Sequence, residues 1–391
     1  MMTEPQSRQN LFRPSEWTQE FLGKIGWSPD AGGTGPRAAL ILVAVVLLPP
    51  FMLSVWRGTA WGSAVDVPFL WDFASIARLA VVAPLLVVAS NAIGAQLNAA
   101  MRYLEVASLV PDSDRADYED AKADVERRVR SPAVTVLLLV GAFVAAVILV
   151  LARPDQELAG PTSWMFDVEG GIALSPGGWW YTLISGPLVA FFFLLWAWRY
   201  VCWCVYLRRL GRMDLSILAA HPDSVGGLAP LVRAHLSFVL VATALNASLS
   251  GALANDLLHG GATIADIRSQ VAFYLVVSVL VVALPLAVFV RGLTRAKERG
   301  IIQYGRLAMD LTLDFDSRWQ ESDAKLLDTA DPSAMADFGG DYDLVQQMKV
   351  YPLGLRQAMV AGVALFVPFA FLALTQVSLS ELVRGLIEKA L

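Results

Sequence analysis

The sequence predicts an all-α fold: a polytopic transmembrane helix bundle of about seven spans, with a small helical cytoplasmic insertion. Hydrophobic residues make up 56% of the 391 residues and charged residues only 17%, whereas soluble domains carry about a quarter charged residues. The apolar residues are grouped in segments of about 20, the length that a helix needs to cross a bilayer core. Such segments are too long for the alternating strands of an outer-membrane barrel, which run for about ten residues. The segments are 38–56, 79–99, 132–152, 180–204, 235–257, 270–291 and 358–379.

Lys and Arg residues are distributed unequally between alternate connecting segments. The N-terminal segment and the connections that follow the second, fourth and sixth spans hold 24 of the 30 basic residues, and the alternate segments hold 6. Because basic loops stay on the cytoplasmic side during insertion, the N-terminus is predicted to be cytoplasmic and, with seven spans, the C-terminus external. The last segment, 358–379, could instead be re-entrant, which leaves six spans as the alternative count.

This pattern divides the chain into four regions. Residues 1–37 form a cytoplasmic segment in which 11–27 has the pattern of an amphipathic interfacial helix. Residues 38–291 form a membrane domain of six spans, 292–357 a cytoplasmic helical insertion, and 358–391 the last membrane segment and a C-terminal helix. The polar first segment lacks the layout of a cleaved signal peptide, so the first span is expected to remain in the protein.

Within the insertion, apolar residues recur at three- and four-residue steps, which predicts an amphipathic helix. The next stretch, TADPSAMADFGGDYD, is rich in Pro, Gly and Asp, which predicts a loop ahead of a short helix around 342–350. Before the third span, the mixed charges of 103–131 predict a solvated helix on the same side of the membrane. The recurring apolar residues of the insertion are Tyr304, Leu307, Leu311, Phe315 and Trp319.

The stretch LAAHPDSVGGLAPL, residues 218–231, interrupts the apolar sequence between the fourth and fifth predicted spans. Asp223 follows a proline and precedes Ser-Val-Gly-Gly-Leu, which suits the N-cap of a helix entering the fifth span. Together with Gly226 and Gly227, His221 and Asp223 form a candidate ion or anion site. His and Asp bind ions or relay protons, and free N–H groups at a helix start bind anions. The alternative is a capped turn whose glycines allow close helix approach.

Polar residues lie on one face of each of two predicted spans. Asn91 and Asn98 are seven residues apart on the second span, and Thr243, Asn246 and Ser250 form a stripe on the fifth. Because polar groups facing lipid are costly, these side chains are candidates to line a cavity. Alternatively, they only form hydrogen bonds with neighbouring helices.

Prolines that kink or break helices fall within five of the seven spans. They are Pro49, Pro50, Pro84, Pro187, Pro285 and Pro368.

No motif predicts catalysis, a metal site or a cofactor. The sequence lacks a Gly-rich phosphate loop, a nucleophile elbow and an HExxH motif. The aspartates of the insertion, among them Asp331 and Asp337, lack the EF-hand spacing and are expected to form a solvated acidic loop. Cys202 and Cys204 are expected to pack within the fourth span, because their spacing fits neither zinc nor a disulfide framework. The formal charge of −5 argues against nucleic acid as a partner.

Three stretches resemble a widespread family of uncharacterised bacterial multi-pass membrane proteins. They are HPDSVGGL (221–228), YGRLAMDLTLDFDSRW (304–319) and LLDTADPSAMADFGGDYDLVQQMKVYP (326–352), followed by a final apolar segment. The likeness runs from about residue 200 to the C-terminus. In the acidic loop Asp331 and Asp337 match the family pattern, while the residues between them differ. The resemblance implies a location in the bacterial inner membrane, no particular activity, and one module that contains both the HPD stretch and the acidic loop.

Two classes of function fit the sequence. The first is a channel or transporter for an ion or small solute, indicated by the apolar spans, the polar stripes and the prolines. The second is a non-transporting membrane sensor or scaffold that binds a cytoplasmic protein through 292–357. An enzyme acting on lipid is a distant third, and nothing in the sequence supports it. The expected partners are the lipid bilayer, a second copy of the chain and a cytoplasmic protein.

Overall fold

The computed structural model describes residues 34–151, 162–167, 173–321 and 331–374. Within these ranges the secondary structure is helical, apart from two isolated β-bridges between loop segments. The all-α prediction is therefore confirmed. The helix predicted in 11–27 and the C-terminal tail lie outside the described residues.

The helices are long, and three of the longest change their winding along the way. A π-helical segment, Ala77–Val82, lies near the start of the helix Phe73–Val106, and a second, Tyr181–Ser185, lies near the start of the helix Pro176–Leu210. A 3₁₀ segment, Leu284–Phe289, joins the helices Ile264–Ala283 and Val290–Glu321. In chain order the described helices are α1 (Thr34–Trp56), α2 (Phe73–Val106), α3 (Arg115–Val129), α4 (Pro132–Leu151), α5 (Pro176–Leu210), α6 (Ala229–Leu236), α7 (Val239–Leu258), α8 (Ile264–Ala283), α9 (Val290–Glu321), α10 (Asp331–Gln347) and α11 (Leu355–Leu374).

Six stretches of helix in the described chain are long and apolar enough to cross a membrane. They are α1, α2, α5, α6 with α7, α8 running into α9, and α11. A seventh is obtained if α3 and α4, which are bent by 44° at the break between them, are counted as one span. The prediction of a multi-pass membrane protein with six or seven spans is confirmed.

The centre of the bundle is filled by aromatic side chains and by close helix contacts. The Trp196 indole on α5 donates a hydrogen bond to the Leu86 carbonyl of α2 at 3.0 Å. Helix α7 lies against the start of α2 at Gly251, where a Cβ would lie 2.6 Å from the Phe73 carbonyl oxygen. Glycine is therefore needed at this crossing. The largest fully buried side chains include Trp164, Trp196, Trp203, Tyr118 and Tyr206.

One end of the bundle carries α3, the 211–228 connection and the start of α9, and is called the basic end below. Helix α3 confirms the charged helix predicted in 103–131, but one of its acids is not solvated. Asp124 is buried, and its carboxylate binds Arg127 at 3.1 Å and Arg128 at 3.0 Å on its own helix. It also lies 3.1 Å from Arg209 of α5. The Arg209 ion pair joins α3 to α5 of the membrane domain.

The insertion is a pair of packed helices, so the prediction of an acidic loop is wrong. Helix α9 continues from the span that begins with α8 and is 32 residues long, and α10 occupies the stretch that was expected to be a loop. Pro332 lies in the first turn of α10, where proline is compatible with a helix. Tyr304 stacks on Phe338 with ring centroids 6.0 Å apart, and this packing on α9 stabilises a helix that its own glycines disfavour.

Candidate functional site

The HPD stretch forms a turn that is closed by the carboxylate of Asp223. Oδ1 accepts hydrogen bonds from the N–H groups of Val225 at 2.9 Å and Gly227 at 3.1 Å. Oδ2 accepts from the N–H of Ala229, the first residue of α6, at 3.1 Å. The predicted capping role is therefore present, but Asp223 acts from six residues before the helix and not from the N-cap position. The N–H groups of the candidate anion site already bind this carboxylate.

His221 is partnered by the same residue. Its Nδ1 accepts a hydrogen bond from the Asp223 backbone N–H at 3.2 Å and lies 2.9 Å from Asp223 Oδ1, so the described partner of this histidine lies within the turn and not in the acidic stretch. Asp337 is exposed on α10, and the side chain of Asp331 is outside the described set. The structure brings His221 and Asp223 together, and neither has a described hydrogen bond or ion pair with Asp337.

Gly226 allows the turn to contact the residues that follow α10, and Gly227 lies against Leu109. Gly226 has a φ of +66°, and a Cβ there would lie 2.2 Å from Ile217 Cγ2 and 3.2 Å from Met348 Cε. The Lys349 N–H donates a hydrogen bond to the Ser224 carbonyl at 2.8 Å. Gly227 has a φ of +92°, which also favours glycine. The turn and the end of the insertion are thus in direct contact.

The polar stripe on α7 faces α11 and is hydrogen bonded to its backbone. Asn246 and Ser250 are buried, and Asn246 Nδ2 donates to the Leu365 carbonyl at 3.0 Å. Asn246 Oδ1 accepts from Ser278 on α8 at 2.9 Å, so this amide joins three helices. The other two bonds run from Thr243 to Ala364 at 3.3 Å and from Ser250 to Pro368 at 2.6 Å. The stripe on α7 therefore forms hydrogen bonds with neighbouring helices, which is the alternative to lining a cavity.

Of the two asparagines of the predicted second span, the side chain of Asn91 is not described, and Asn98 is half-buried.

A proline explains why one of the α11 carbonyls, that of Ala364, needs a partner from another helix. A proline lacks the N–H that would bind the carbonyl four residues earlier, so that carbonyl is left without its helical donor. In the described spans, four such carbonyls accept a side-chain hydrogen bond from another helix. The proline, the residue whose carbonyl it frees and the residue that donates to that carbonyl are, in turn, Pro49, Val45 and Trp180; Pro50, Val46 and Ser185; Pro285, Val281 and Tyr200; and Pro368, Ala364 and Thr243.

The break at Pro285 has two further donors. His235 Nε2 lies 2.7 Å from the Val282 carbonyl, and the Tyr351 hydroxyl donates to the Ala283 carbonyl. Burial raises the pKa of the Tyr351 phenol further above neutrality. Polar side chains in the spans therefore hold broken helices together.

Replacing Asn246 with leucine is expected to lower the free energy of unfolding by about 2 kcal/mol, because the Leu365 carbonyl and the Ser278 hydroxyl lose a buried partner. Ser250→Ala removes one interhelical bond and is expected to cost about 1 kcal/mol or less. The control is Thr312→Val, because the Thr312 hydroxyl bonds only the Ala308 carbonyl of its own exposed helix. Denaturation in detergent measures all three. If Asn246→Leu is as stable as the control, the stripe does not hold α7, α8 and α11 together.

The π-helical segments of α2 and α5 place an arginine within the membrane domain. Arg78 lies in the segment of α2, and its Nη1 donates to the hydroxyl of Tyr181, the first residue of the segment of α5, at 3.3 Å. Its Nε donates to Ser248 Oγ of α7 at 3.2 Å. A π-helical turn inserts an extra residue, which rotates the side chains before it, and such turns are frequent at functional sites. Three helices thus position one guanidinium.

Arg78 borders a cleft of about 370 Å³, within the size range of small-molecule sites. Apart from Arg78, Tyr181, Ser248 and Thr182, its walls are glycine and apolar side chains. The Thr182 hydroxyl is buried and has no hydrogen-bond partner among the described residues. The apolar part of the wall includes Leu79, Ala146, Val189, Phe193, Leu194 and Leu245.

The charge of Arg78 is not neutralised by a direct ion pair in the described chain. No described carboxylate lies within 4.0 Å of its guanidinium, although Asp72 attracts it at longer range. The Asp72 carboxylate accepts hydrogen bonds from Ser75 Oγ at 2.6 Å, Trp164 Nε1 at 2.9 Å and Asn255 Nδ2 at 2.7 Å. Two donor atoms of Arg78 bond neutral hydroxyls. An anion in the cleft would therefore meet a positioned cation.

The sequence pattern missed this arginine. Arg78 lies one residue before the predicted second span and was counted with the external connection, whereas α2 begins at Phe73. The sequence feature that indicates this arginine is a single cation in the otherwise apolar run FASIARLAVV, followed by Pro84.

Searches of protein-family models, curated proteins and solved structures give no match to the chain. Over the part of the chain that is described, no three His, Cys, Asp or Glu side chains are grouped to hold a metal ion.

Proposed function

We propose that the protein is a membrane-embedded receptor for an amphipathic anion, a molecule with a negatively charged head and an apolar tail. The observation that carries this proposal is the Arg78 guanidinium, held by Tyr181 and Ser248 at the border of an apolar cleft. A charged side chain within a span is costly and marks a functional site by default. A bound phosphate or carboxylate would offset that cost, and the alkyl chain would lie along the apolar wall.

The hydrogen bonds of the polar side chains on α7 support a receptor and not a transporter. A transport path through α7 would need Thr243, Asn246 and Ser250 to be free for a solute, and all three bond carbonyls of α11. The receptor corresponds to the non-transporting sensor predicted as the second class. Its output would be the insertion, because α8 and α9 form one continuous helical stretch from the membrane to α10.

We also propose that the protein lies in a bacterial inner membrane with its N-terminus and its basic end in the cytoplasm. The excess of Lys and Arg in alternate connections supports this orientation. The Arg78 cleft would then lie in the outer half of the membrane domain. A cytoplasmic protein that contacts α9 and α10, and a second copy of the chain, remain the expected partners.

The test compares binding with transport in the wild-type protein. In phosphatidylcholine nanodiscs, dodecyl phosphate is expected to raise the unfolding temperature, because a ligand that binds only the folded state stabilises it by about 2.7 kcal/mol at a hundredfold excess over Kd. Neutral dodecyl maltoside lacks the negative charge and inorganic phosphate lacks the alkyl chain, so each is expected to raise the unfolding temperature by less. Liposomes are expected to show no ion or alkyl-phosphate flux above protein-free vesicles. Flux without stabilisation would contradict the receptor and favour the transporter.

A further inference from the structure

We infer that a cleft at the basic end, between the end of α5 and the start of α9, binds phosphate groups. The cleft has a volume of about 450 Å³, and its lining includes Arg212, Arg291, Arg295 and Arg299. This site is separate from the Arg78 cleft, with which it shares no lining residue. The inference therefore does not depend on the proposed receptor function.

The arginines converge from two segments of the chain. Arg291, Arg295 and Arg299 follow one another at four-residue steps, so they form a row on one face of α9, with about 6 Å of helix rise between neighbours. Arg212 follows α5 and faces this row across the cleft. Like charges four residues apart destabilise a helix. An anion bound beside this row would offset the repulsion between the three arginines.

The same four arginines are not neutralised by the protein, within the described residues. None of them lies within 4.0 Å of a described carboxylate, whereas Arg127, Arg128 and Arg209 at the same end all pair with Asp124. One acid, Asp214, lines the cleft, and its backbone N–H donates to Asp114 Oδ2 at 2.7 Å. The Arg299 Nε donates only to the Arg295 carbonyl, at 3.3 Å. The cleft therefore carries a net positive charge.

The position and floor of the cleft suit a phosphate at the membrane surface. At the floor of the cleft, Gly211 packs closely on Val288, and a Cβ at Gly211 would lie 2.9 Å from the Val288 carbonyl oxygen. The buried side chains of Leu215 and Phe289 form its apolar base. Because α5 ends at Leu210 and the 3₁₀ segment between α8 and α9 ends at Phe289, the arginines are expected to lie at the level of the lipid phosphates. Guanidinium groups bind phosphate through paired, planar hydrogen bonds.

A row of arginines beside a span is also what the rule for membrane orientation requires, and orientation alone needs no ligand. Membrane orientation and phosphate binding depend on these side chains in different ways. Orientation depends on the number of basic residues near the span, whereas binding depends on these four around one cleft. Exposed arginines elsewhere on the chain provide a control with the same change of charge. Arg306, on α9, and Arg268, on α8, do not line the cleft.

The phosphate could belong to a lipid headgroup or to a soluble molecule, and two probes separate these sources. The protein in phosphatidylcholine nanodiscs is titrated with inorganic pyrophosphate in a calorimeter. In parallel, phosphatidylcholine vesicles doped with phosphatidic acid report enrichment of a labelled phosphatidic acid around the protein. Each probe is applied to the wild type, to Arg295→Gln/Arg299→Gln and to the control Arg268→Gln/Arg306→Gln.

The wild type is expected to bind at least one probe, and the Arg295→Gln/Arg299→Gln variant to bind it at least about tenfold more weakly, since each lost charge-assisted hydrogen bond costs roughly tenfold. The control is expected to bind like the wild type, and helical content by circular dichroism is expected to be equal in all three. Binding of pyrophosphate alone identifies a soluble ligand, and enrichment of phosphatidic acid alone identifies a lipid. Binding of neither probe, or equal binding by both variants, overturns the inference.

Discussion

Asp223→Ala is expected to lower the free energy of unfolding by about 2–4 kcal/mol, because three backbone N–H groups lose a charged acceptor at once. Those groups belong to Val225, Gly227 and Ala229, and together they close the turn that enters α6. The same turn accepts the Lys349 N–H at the end of the insertion. The variant is therefore also expected to expose α10 to proteolysis sooner than the wild type.

Two controls separate the cap from the charge. Asp223→Asn keeps an acceptor oxygen for part of the turn, and we expect it to cost about 1 kcal/mol. Asp337→Ala removes the same charge from an exposed position, where substitutions usually change stability by less than about 0.5 kcal/mol. Chemical denaturation in detergent and limited proteolysis provide the two readouts. An Asp223→Ala protein as stable as Asp337→Ala would show that the carboxylate does not hold the turn.

Arg78→Gln is expected to weaken the binding of dodecyl phosphate by at least about thirtyfold, because losing one partner of a buried charge pair costs about 2 kcal/mol or more. Glutamine keeps a polar side chain that can still bond Tyr181 or Ser248, so the change acts mainly on charge. Arg78→Lys keeps the charge but loses the planar fork, and we expect an intermediate affinity. Binding is measured by titration of each variant in phosphatidylcholine nanodiscs.

The matched control for this loss is Arg268→Gln, an exposed arginine on α8 that does not line the cleft. It carries the same change of charge and is expected to bind dodecyl phosphate like the wild type. Tyr181→Phe removes the hydroxyl that orients Arg78 and is expected to weaken binding by less than Arg78→Gln does. If Arg78→Gln binds as tightly as Arg268→Gln, the anion is not bound by Arg78.

The sequence predicted the features that depend on local composition. Apolar runs located the spans, and Pro-Asp followed by two glycines located a carboxylate-capped turn. Charge spacing identified α3, and apolar spacing identified α9. These features are set by lipid, by backbone hydrogen bonding and by helical period, each of which can be read within about one helix length.

Features that depend on contacts between distant residues could not be predicted in this way. The Pro and Gly residues of α10 favour a loop, and only packing on Tyr304 and neighbouring residues of α9 makes that stretch helical. Arg199 was counted with a basic connection, but it is buried in α5 with its guanidinium 5.0 Å from the Trp196 ring. The hydrogen bond from Thr243 to the Ala364 carbonyl, which Pro368 leaves without its helical donor, joins residues more than a hundred positions apart. Each of these outcomes requires knowledge of the neighbouring helix.

A structure of the protein determined with dodecyl phosphate tests the central claim most directly. We predict the phosphate within about 3 Å of the Arg78 guanidinium, the usual distance of a charge-assisted hydrogen bond. The alkyl chain is predicted to lie along Val189, Phe193 and Leu245 in the cleft. An empty Arg78 cleft at saturating dodecyl phosphate, with the ligand bound elsewhere, would contradict the proposal that this protein is a receptor for an amphipathic anion.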